Sequence, residues 1–214
     1  MTSWQELRDE AAQCTRCDLH RRATQTVFGE GRTGVSITLV GEQPGDQEDV
    51  QGRPFVGPAG QLFERAMGEA GIDRATVYLT NAVKHFKFIR AGKRRLHQKP
   101  DTGEIKACRQ WLLKELDIVQ PRVLVALGAT AAHSILGRSV TISRERGRFR
   151  PYPPDTQLYV TVHPSYLLRL PDERAKATEY ARFVEDLRTV KEMADKLAAG
   201  GAGASTDRPQ MSLL

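Results

Sequence analysis

Ser36-Ile37-Thr38-Leu39-Val40-Gly41 runs directly into Glu42-Gln43-Pro44-Gly45-Asp46, and this junction decides the fold. Its first six residues are apolar or β-branched and few enough for a buried strand. Two glycines and a proline then break the strand and present Glu42, Gln43 and Asp46, with Asp49 just beyond. Such a turn can set backbone amides and short polar side chains against a ligand, or it can cap a helix with its acids. The residues alone allow both. Runs of the same kind recur at 77–83, 122–128 and 157–163, so four strands are the minimum reading. Helical patterns lie between and after them at 59–71, 104–116, 130–136 and 172–197, the first with Leu62, Ala66 and Ala70 on one face and Gly71 as its stop. Strand and helix in alternation predict a three-layer α/β/α sandwich around a central four-stranded, mostly parallel sheet, with functional groups on the loops that leave the strand carboxyl ends.

The chain has 214 residues, of which 40% are hydrophobic, enough for one sizeable core. Residues 1–197 are expected to form one domain and 198–214 a disordered tail rich in glycine and small polar residues. No apolar run approaches the roughly 18 residues that cross a bilayer. Glu6, Asp9 and Glu10 stand where a signal peptide would be apolar, so the expectation is a cytoplasmic monomer. The net charge of +6 and the pI near 9.4 favour a polyanionic partner. Basic residues gather at Lys84, Lys87, Arg90, Lys93, Arg94, Arg95 and Lys99, and again at Arg144, Arg146, Arg148 and Arg150. Both clusters are expected to contact phosphate.

Cys14 and Cys17 form a C-x-x-C pair, and the remaining cysteine, Cys108, is remote in sequence. Three cysteines cannot pair completely, which leaves metal ligation or a redox pair. A redox pair has no need of Cys108, and His85 is the natural fourth ligand of a metal site. Spacing permits zinc or an iron-sulfur cluster.

Further features suit a base pocket. Phe55 sits on a loop stiffened by Pro54 and Pro58, where its ring could stack on a flipped base. Asn81, ending the second strand, carries the donor and acceptor needed to read the edge of a base. His163, ending the fourth strand and followed by Pro164-Ser165, can donate to negative charge developing on a departing base. The stretch Ala91-Gly92-Lys93-Arg94-Arg95-Leu96-His97-Gln98-Lys99-Pro100 places a histidine among cations, which favour its neutral, nucleophilic form.

Over most of the chain these segments resemble the uracil-DNA glycosylase superfamily. The cysteines are similar to those of the family-four enzymes, whose [4Fe-4S] cluster sits on four cysteines. Cys14, Cys17 and Cys108 match three of them, and His85 stands at the fourth place, so the resemblance implies a three-cysteine, one-histidine [4Fe-4S] cluster, with zinc as the alternative. It implies further that Phe55 stacks on uracil, that Asn81 and Gln43 read it, and that His163 supports the departing base. Residues 164–169 would push into the duplex, with Leu167 or Leu168 as the wedge and Ser165 and Arg169 beside it. The 91–100 stretch, the 81–88 segment and the Glu42-Gln43 pair resemble the UdgX class, whose members become covalently attached to uracil-containing DNA through a histidine at this place. By that resemblance His97 is the nucleophile. Glu42 polarises the sugar or positions the histidine, Gln43 and Asp46 organise the pocket, Arg95 holds the loop, and Lys93, Arg94 and Lys99 join it on DNA. A preference for single-stranded DNA is the corresponding expectation. Separately, Gln210-Met211-Ser212-Leu213-Leu214 resembles a bacterial sliding-clamp binding peptide.

Overall fold

The computed structural model of the protein describes residues 3–200. In chain order its elements are α1 (Trp4–Ala12), β1 (Ile37–Gly41), α2 (Asp46–Gln51), α3 (Pro58–Glu69), β2 (Val77–Asn81), β3 (Phe88–Ala91) and β4 (Arg94–His97). There follow α4 (Thr102–Val119), β5 (Val123–Leu127), α5 (Ala129–Leu136), α6 (Ile142–Glu145), β6 (Phe149–Tyr152), β7 (Thr156–Thr161), α7 (Pro164–Leu168) and α8 (Glu173–Gly200). Helix α8 continues past residue 197, where the tail was expected to start. The clamp-like peptide lies outside the described residues. Among them, no helix is long and apolar enough to cross a membrane.

The main sheet has five strands in the order β2-β1-β5-β7-β6, not four. The first four are mutually parallel, and β6 runs antiparallel to β7 at the edge. Strand β6 escapes a hydrophobicity reading because it is Phe149-Arg150-Pro151-Tyr152, carrying a charge and a proline that only an edge strand tolerates.

Both faces of the sheet are covered, and the strand period of two divides its residues between two cores. Leu39, Val125 and Tyr159 join Phe63 and Met67 of α3 and Phe183 and Leu187 of α8. Val40, Leu124, Ala126 and Val160 join Leu112 and Leu116 of α4 and Ala131 and Ile135 of α5. These two layers complete the α/β/α sandwich. Register then locates function: Gly41 lies beside Asn81, and Leu127 beside Thr161. The carboxyl ends of β1, β2, β5 and β7 are therefore level, and Glu42, Asn81, Gly128 and His163 leave the sheet on one edge.

A buried ionic knot ties α4 to that edge. Lys84 and Glu115 are 1% and 0% exposed in their side chains and form an ion pair. Glu115 also accepts from the Gly29 amide at 2.9 Å, the Tyr78 hydroxyl at 2.9 Å and the Thr80 hydroxyl at 3.0 Å. Burial, with this carboxylate beside it, holds the Tyr78 phenol protonated far above the ordinary range. Lys84 donates in turn to Thr80 Oγ1 and to the Asn81 carbonyl, both at 2.7 Å. A charge pair with every partner satisfied is tolerable in a core, whereas half of one is not.

Candidate active site

The loop from β2 to α4 contains a hairpin, β3 paired antiparallel to β4 across a two-residue turn at Gly92 and Lys93. Gly92 has φ +59°, the left-handed conformation such tight turns require. Alternation sends Phe88, Arg95 and His97 to one face and Ile89 and Leu96 to the other. Phe88 is buried, and the Arg95 guanidinium lies over the rings of Phe86 and Phe88. Ile89 and Leu96 are exposed.

The segment after β1 grips this hairpin at three places. Glu42 Oε1 lies 3.4 Å from His97 Nε2. The Gln43 carboxamide spans the base of the hairpin, accepting from the Lys87 amide at 3.1 Å and donating to the Lys87 and Gln98 carbonyls at 3.3 and 2.9 Å. Arg95 pairs with Asp46 and, at 2.5 Å, with the fully buried Asp49. Asp49 also accepts from the amide and hydroxyl of Thr24. The helix-capping reading of this turn holds in part, since Gly45 N-caps α2 and places Asp46, Glu48 and Asp49 in its first turn.

These contacts correct several expectations. The Gln43 side chain is committed to the hairpin, because its amide group already makes three hydrogen bonds to the backbone. Arg95 is a loop anchor turned away from solvent, not a phosphate ligand. Asp46 is neutralised by it. Of the two basic clusters, Lys84, Lys87, Arg146 and Arg150 are likewise ion-paired internally, with Glu115, with Asp101 and Glu104, with Glu179 and Asp186, and with Glu145. Arg90, Lys93, Arg94 and Lys99 are exposed on and beside the hairpin.

A cavity of about 1300 Å³ opens at the level strand ends, lined by Glu42, Gln43, Phe55, Asn81, His97, Lys99 and His163 among others. Its floor depends on Gly41. A Cβ there would meet Asn81 Oδ1 at 2.3 Å and Phe55 Cζ at 2.7 Å, so only glycine lets the ring and the carboxamide close over the strand end. Phe55 itself has φ +58°, a strained conformation for a bulky residue. Its surroundings enforce it: Arg74 Nη2 donates to the Pro54 carbonyl at 2.9 Å, the Gly57 amide donates to Glu48 at 2.9 Å, and a Cβ on Gly60 would lie 2.0 Å from the Phe55 carbonyl oxygen. The Phe55 and His163 rings face each other at 6.5 Å, inclined by 27°.

His163 has a defined tautomer. Its Nδ1 accepts from the Ser165 amide at 3.2 Å, and an amide can only donate, so the proton of the neutral ring sits on Nε2. The Ser165 hydroxyl lies 2.8 Å from the same nitrogen and accepts from Arg169 at 3.0 Å. Burial, with help from Arg169 and His97, pushes the His163 pKa down to about 4. At neutral pH the ring is an uncharged donor. His97 is also held below the usual imidazole range, chiefly by burial, with Glu42 opposing and Arg169 assisting. The cause is burial, not the hairpin cations that the sequence suggested. Ser165 therefore serves His163 directly, and Arg169 acts on it through the Ser165 hydroxyl.

Helix α7 separates its two leucines. Leu167 is fully buried, while Leu168 is 41% exposed beside the exposed Tyr166. Leu167 is thus core and cannot intercalate. Leu167→Ala is expected to cost ~2–5 kcal/mol of stability. Leu168→Ala is expected to leave thermal unfolding unchanged and to slow action on double-stranded more than single-stranded substrate; equal loss on both would contradict the wedge role.

Cys14, Cys17 and Cys108 pack into one apolar patch with Leu7, Leu19, Phe28 and Trp111. Each sulfur meets an N–H: Trp111 Nε1 at 3.1 Å from Cys14, the Lys84 amide at 3.2 Å from Cys108, and the Leu19 amide at Cys17. Burial raises the Cys17 thiol and pushes Cys108 up to about 12. His85 is buried, and its Nε2 lies 2.9 Å from Thr26 Oγ1. That hydroxyl donates to the Ala11 carbonyl, so it accepts from Nε2–H and leaves Nδ1 with the lone pair. Among the described residues no three His, Cys, Asp or Glu side chains are arranged to hold a metal ion. The donor set nevertheless suits a thiolate cluster, since N–H groups aimed at sulfur are what tunes one.

The cavity thus sets the Phe55 ring, the Asn81 carboxamide and the neutral His163 donor around one space at the strand ends, an arrangement that suits an enzyme acting on a flat heterocycle. Residues 28–188 match the uracil DNA glycosylase superfamily, and the chain belongs to that superfamily. It is similar to the type-4 uracil-DNA glycosylase of Thermotoga maritima, 39% identical over 190 residues covering 88% of this chain and 93% of the relative. It is 34% identical over 179 residues to the type-4 enzyme of Pyrobaculum aerophilum, covering 80% and 88%. It is 31% identical over 221 residues to that of Sulfurisphaera tokodaii, covering 99% and 97%. The protein is a uracil-DNA glycosylase, and its work is DNA repair.

Proposed function

We propose that this enzyme ends uracil excision by capturing the DNA, as in the UdgX class: His97 bonds to C1′ of the sugar from which uracil has left. The observation that carries this reading is the hairpin, which holds the His97 imidazole at the cavity wall 3.4 Å from the Glu42 carboxylate. Cleavage of the C1′–N1 bond sends its electron pair to uracil, whose charge His163 Nε2–H stabilises while Asn81 reads the edge and Phe55 stacks. Positive charge then builds at C1′, favoured by Glu42. The imidazole lone pair closes on C1′, and the resulting imidazolium passes its N–H proton, directly or through Glu42, to the departing uracil anion. Neutral uracil and an N-alkylated histidine remain. Single-stranded DNA is the preferred substrate, because its base is extruded without unpairing. Lys93, Arg94 and Lys99 hold its phosphates. Incubation with uracil-containing single strands should give a species that survives heat and SDS. An ordinary abasic product formed over many turnovers would instead assign Glu42 to water activation.

Cys14, Cys17, Cys108 and His85 would hold a [4Fe-4S] cluster, which supplies a structural crosslink between the N-terminal segment, the end of β2 and α4. Protein purified without air should contain iron and acid-labile sulfide in equal amounts, and stoichiometric zinc would contradict this. A sliding clamp binding the 210–214 peptide remains part of the reading; its deletion should abolish clamp capture.

The imidazoles give the reaction a pH signature. Because His97 titrates below the ordinary value of 6.5, adduct formation should stay level from pH 8 down through that value and fall only at more acidic pH, where protonation removes the lone pair. For His163 the unfolded chain takes up a proton near 6.5 and the folded one only near 4, so stability is complete above 6.5 and declines as pH drops through that window. A rate that begins to fall near pH 7.5 would contradict the first expectation.

A further inference from the structure

Thr130 lies in the first turn of α5, is 3% exposed, and donates its hydroxyl to Glu42 Oε2 at 2.5 Å. The other oxygen of the same carboxylate faces His97 Nε2. We propose that Thr130 is a positioning residue for the glycosylase reaction, which fixes the Glu42 carboxylate so that Oε1 is held beside His97 at the wall of the cavity that receives the sugar. The role given to His97 rests on the reading above; the role given to Glu42 at C1′ does not require a covalent product.

A glutamate on a cavity wall has three side-chain torsions, the last of them broad, and ordering such a chain costs conformational entropy. Without a partner on Oε2 the carboxylate would turn toward water in the cavity. A hydroxyl donating to a carboxylate is among the stronger hydrogen bonds and leaves the other oxygen one direction to face. The backbone before Thr130 is itself held. Gly128, with φ +92°, donates its amide to the Thr161 carbonyl at 2.9 Å, and a Cβ on it would come within 3.0 Å of His163 Cβ. One turn between β5 and α5 therefore sets both the hydroxyl that orients Glu42 and the surface against which His163 packs. Groups on opposite sides of the scissile bond are placed by a single piece of backbone.

The test is Thr130→Val, which keeps the shape and removes the donor, beside Thr130→Ser, which keeps the donor. Uracil release is measured as free base in one turnover at saturating single-stranded DNA, together with the Kd for that DNA and the melting temperature. The expected result for Thr130→Val is a rate ~10–100-fold lower with Kd within about twofold and unaltered melting, while Thr130→Ser stays within about threefold of wild type. In a Glu42→Gln background, Thr130→Val should add less than about twofold, because the two residues act as a unit. A wild-type release rate in Thr130→Val, a parallel loss of rate, affinity and melting temperature, or failure of serine to rescue would each overturn the proposal. Base release is scored whether or not the DNA becomes attached, so a wild type that forms no adduct refutes capture without deciding Thr130.

Discussion

His97→Ala should abolish the heat- and SDS-resistant protein–DNA species and still release uracil. The groups assigned above to departure of the base are elsewhere: His163 caps α7 just after β7, Asn81 ends β2, and Phe55 lies on the loop before α3. Removing the imidazole empties the place at C1′ without touching them, and water can then take the bond that His97 would have formed. The variant should therefore change a capture reaction into turnover, with the adduct falling from the main product to none and abasic product accumulating beyond one equivalent of enzyme. Stability should hardly move, because the His97 side chain is 47% exposed and the hairpin keeps its Gln43 and Arg95 anchors. An adduct that persists in His97→Ala would assign capture to another residue. Loss of uracil release together with the adduct would make His97 part of cleavage itself.

Glu115→Ala should be the most damaging substitution far from the cavity. It leaves the Lys84 ammonium buried without its anion and strands the Gly29 amide, the Tyr78 hydroxyl and the Thr80 hydroxyl. Breaking a buried pair of this kind costs ~3–5 kcal/mol, a large part of the ~5–15 kcal/mol that holds a domain together. At ~2–4 °C per kcal/mol for a chain of this size, the melting temperature should drop by about 10 °C. The combined Lys84→Met, Glu115→Leu variant should recover part of that loss, since it removes both charges but still leaves the Gly29 amide and the two hydroxyls without their acceptor. Urea unfolding of the three proteins decides it: a single variant within about 1 kcal/mol of wild type would mean that the knot is solvated.

The sequence exposes those parts of the site that interrupt a strong pattern. Four hydrophobic strands run out at or just before Gly41, Asn81, Gly128 and His163, and their parallel register makes neighbours of residues many tens of positions apart. What escapes is whatever has no pattern of its own. Strand β6 is polar because it is an edge, and the β3–β4 hairpin is masked by arginines, although Gly92 at the turn and the Phe88–Leu96 alternation were there to be read. The basic clusters mislead because charge in sequence does not reveal its partner. Arg95, Arg146 and Lys84 look like phosphate ligands until Asp49, Asp186 and Glu115 arrive from distant elements. Gln43 looks like a base reader because a carboxamide can read a base or bind backbone, and only the fold chooses. Leu167 and Leu168 are adjacent, and one turn of helix sends one to the core and the other to solvent. Thr130 carries no signal beyond its place two residues after Gly128, at the end of the third parallel strand.

The central claim is a bond between His97 and the sugar. Wild-type protein incubated with a uracil-containing oligonucleotide, digested with protease and nuclease, and sequenced by mass spectrometry tests it most directly. The account predicts a peptide spanning Leu96 to Lys99 with a deoxyribose remnant on His97 and no uracil attached. Unmodified His97 in every peptide, with free abasic DNA in the supernatant, would contradict it.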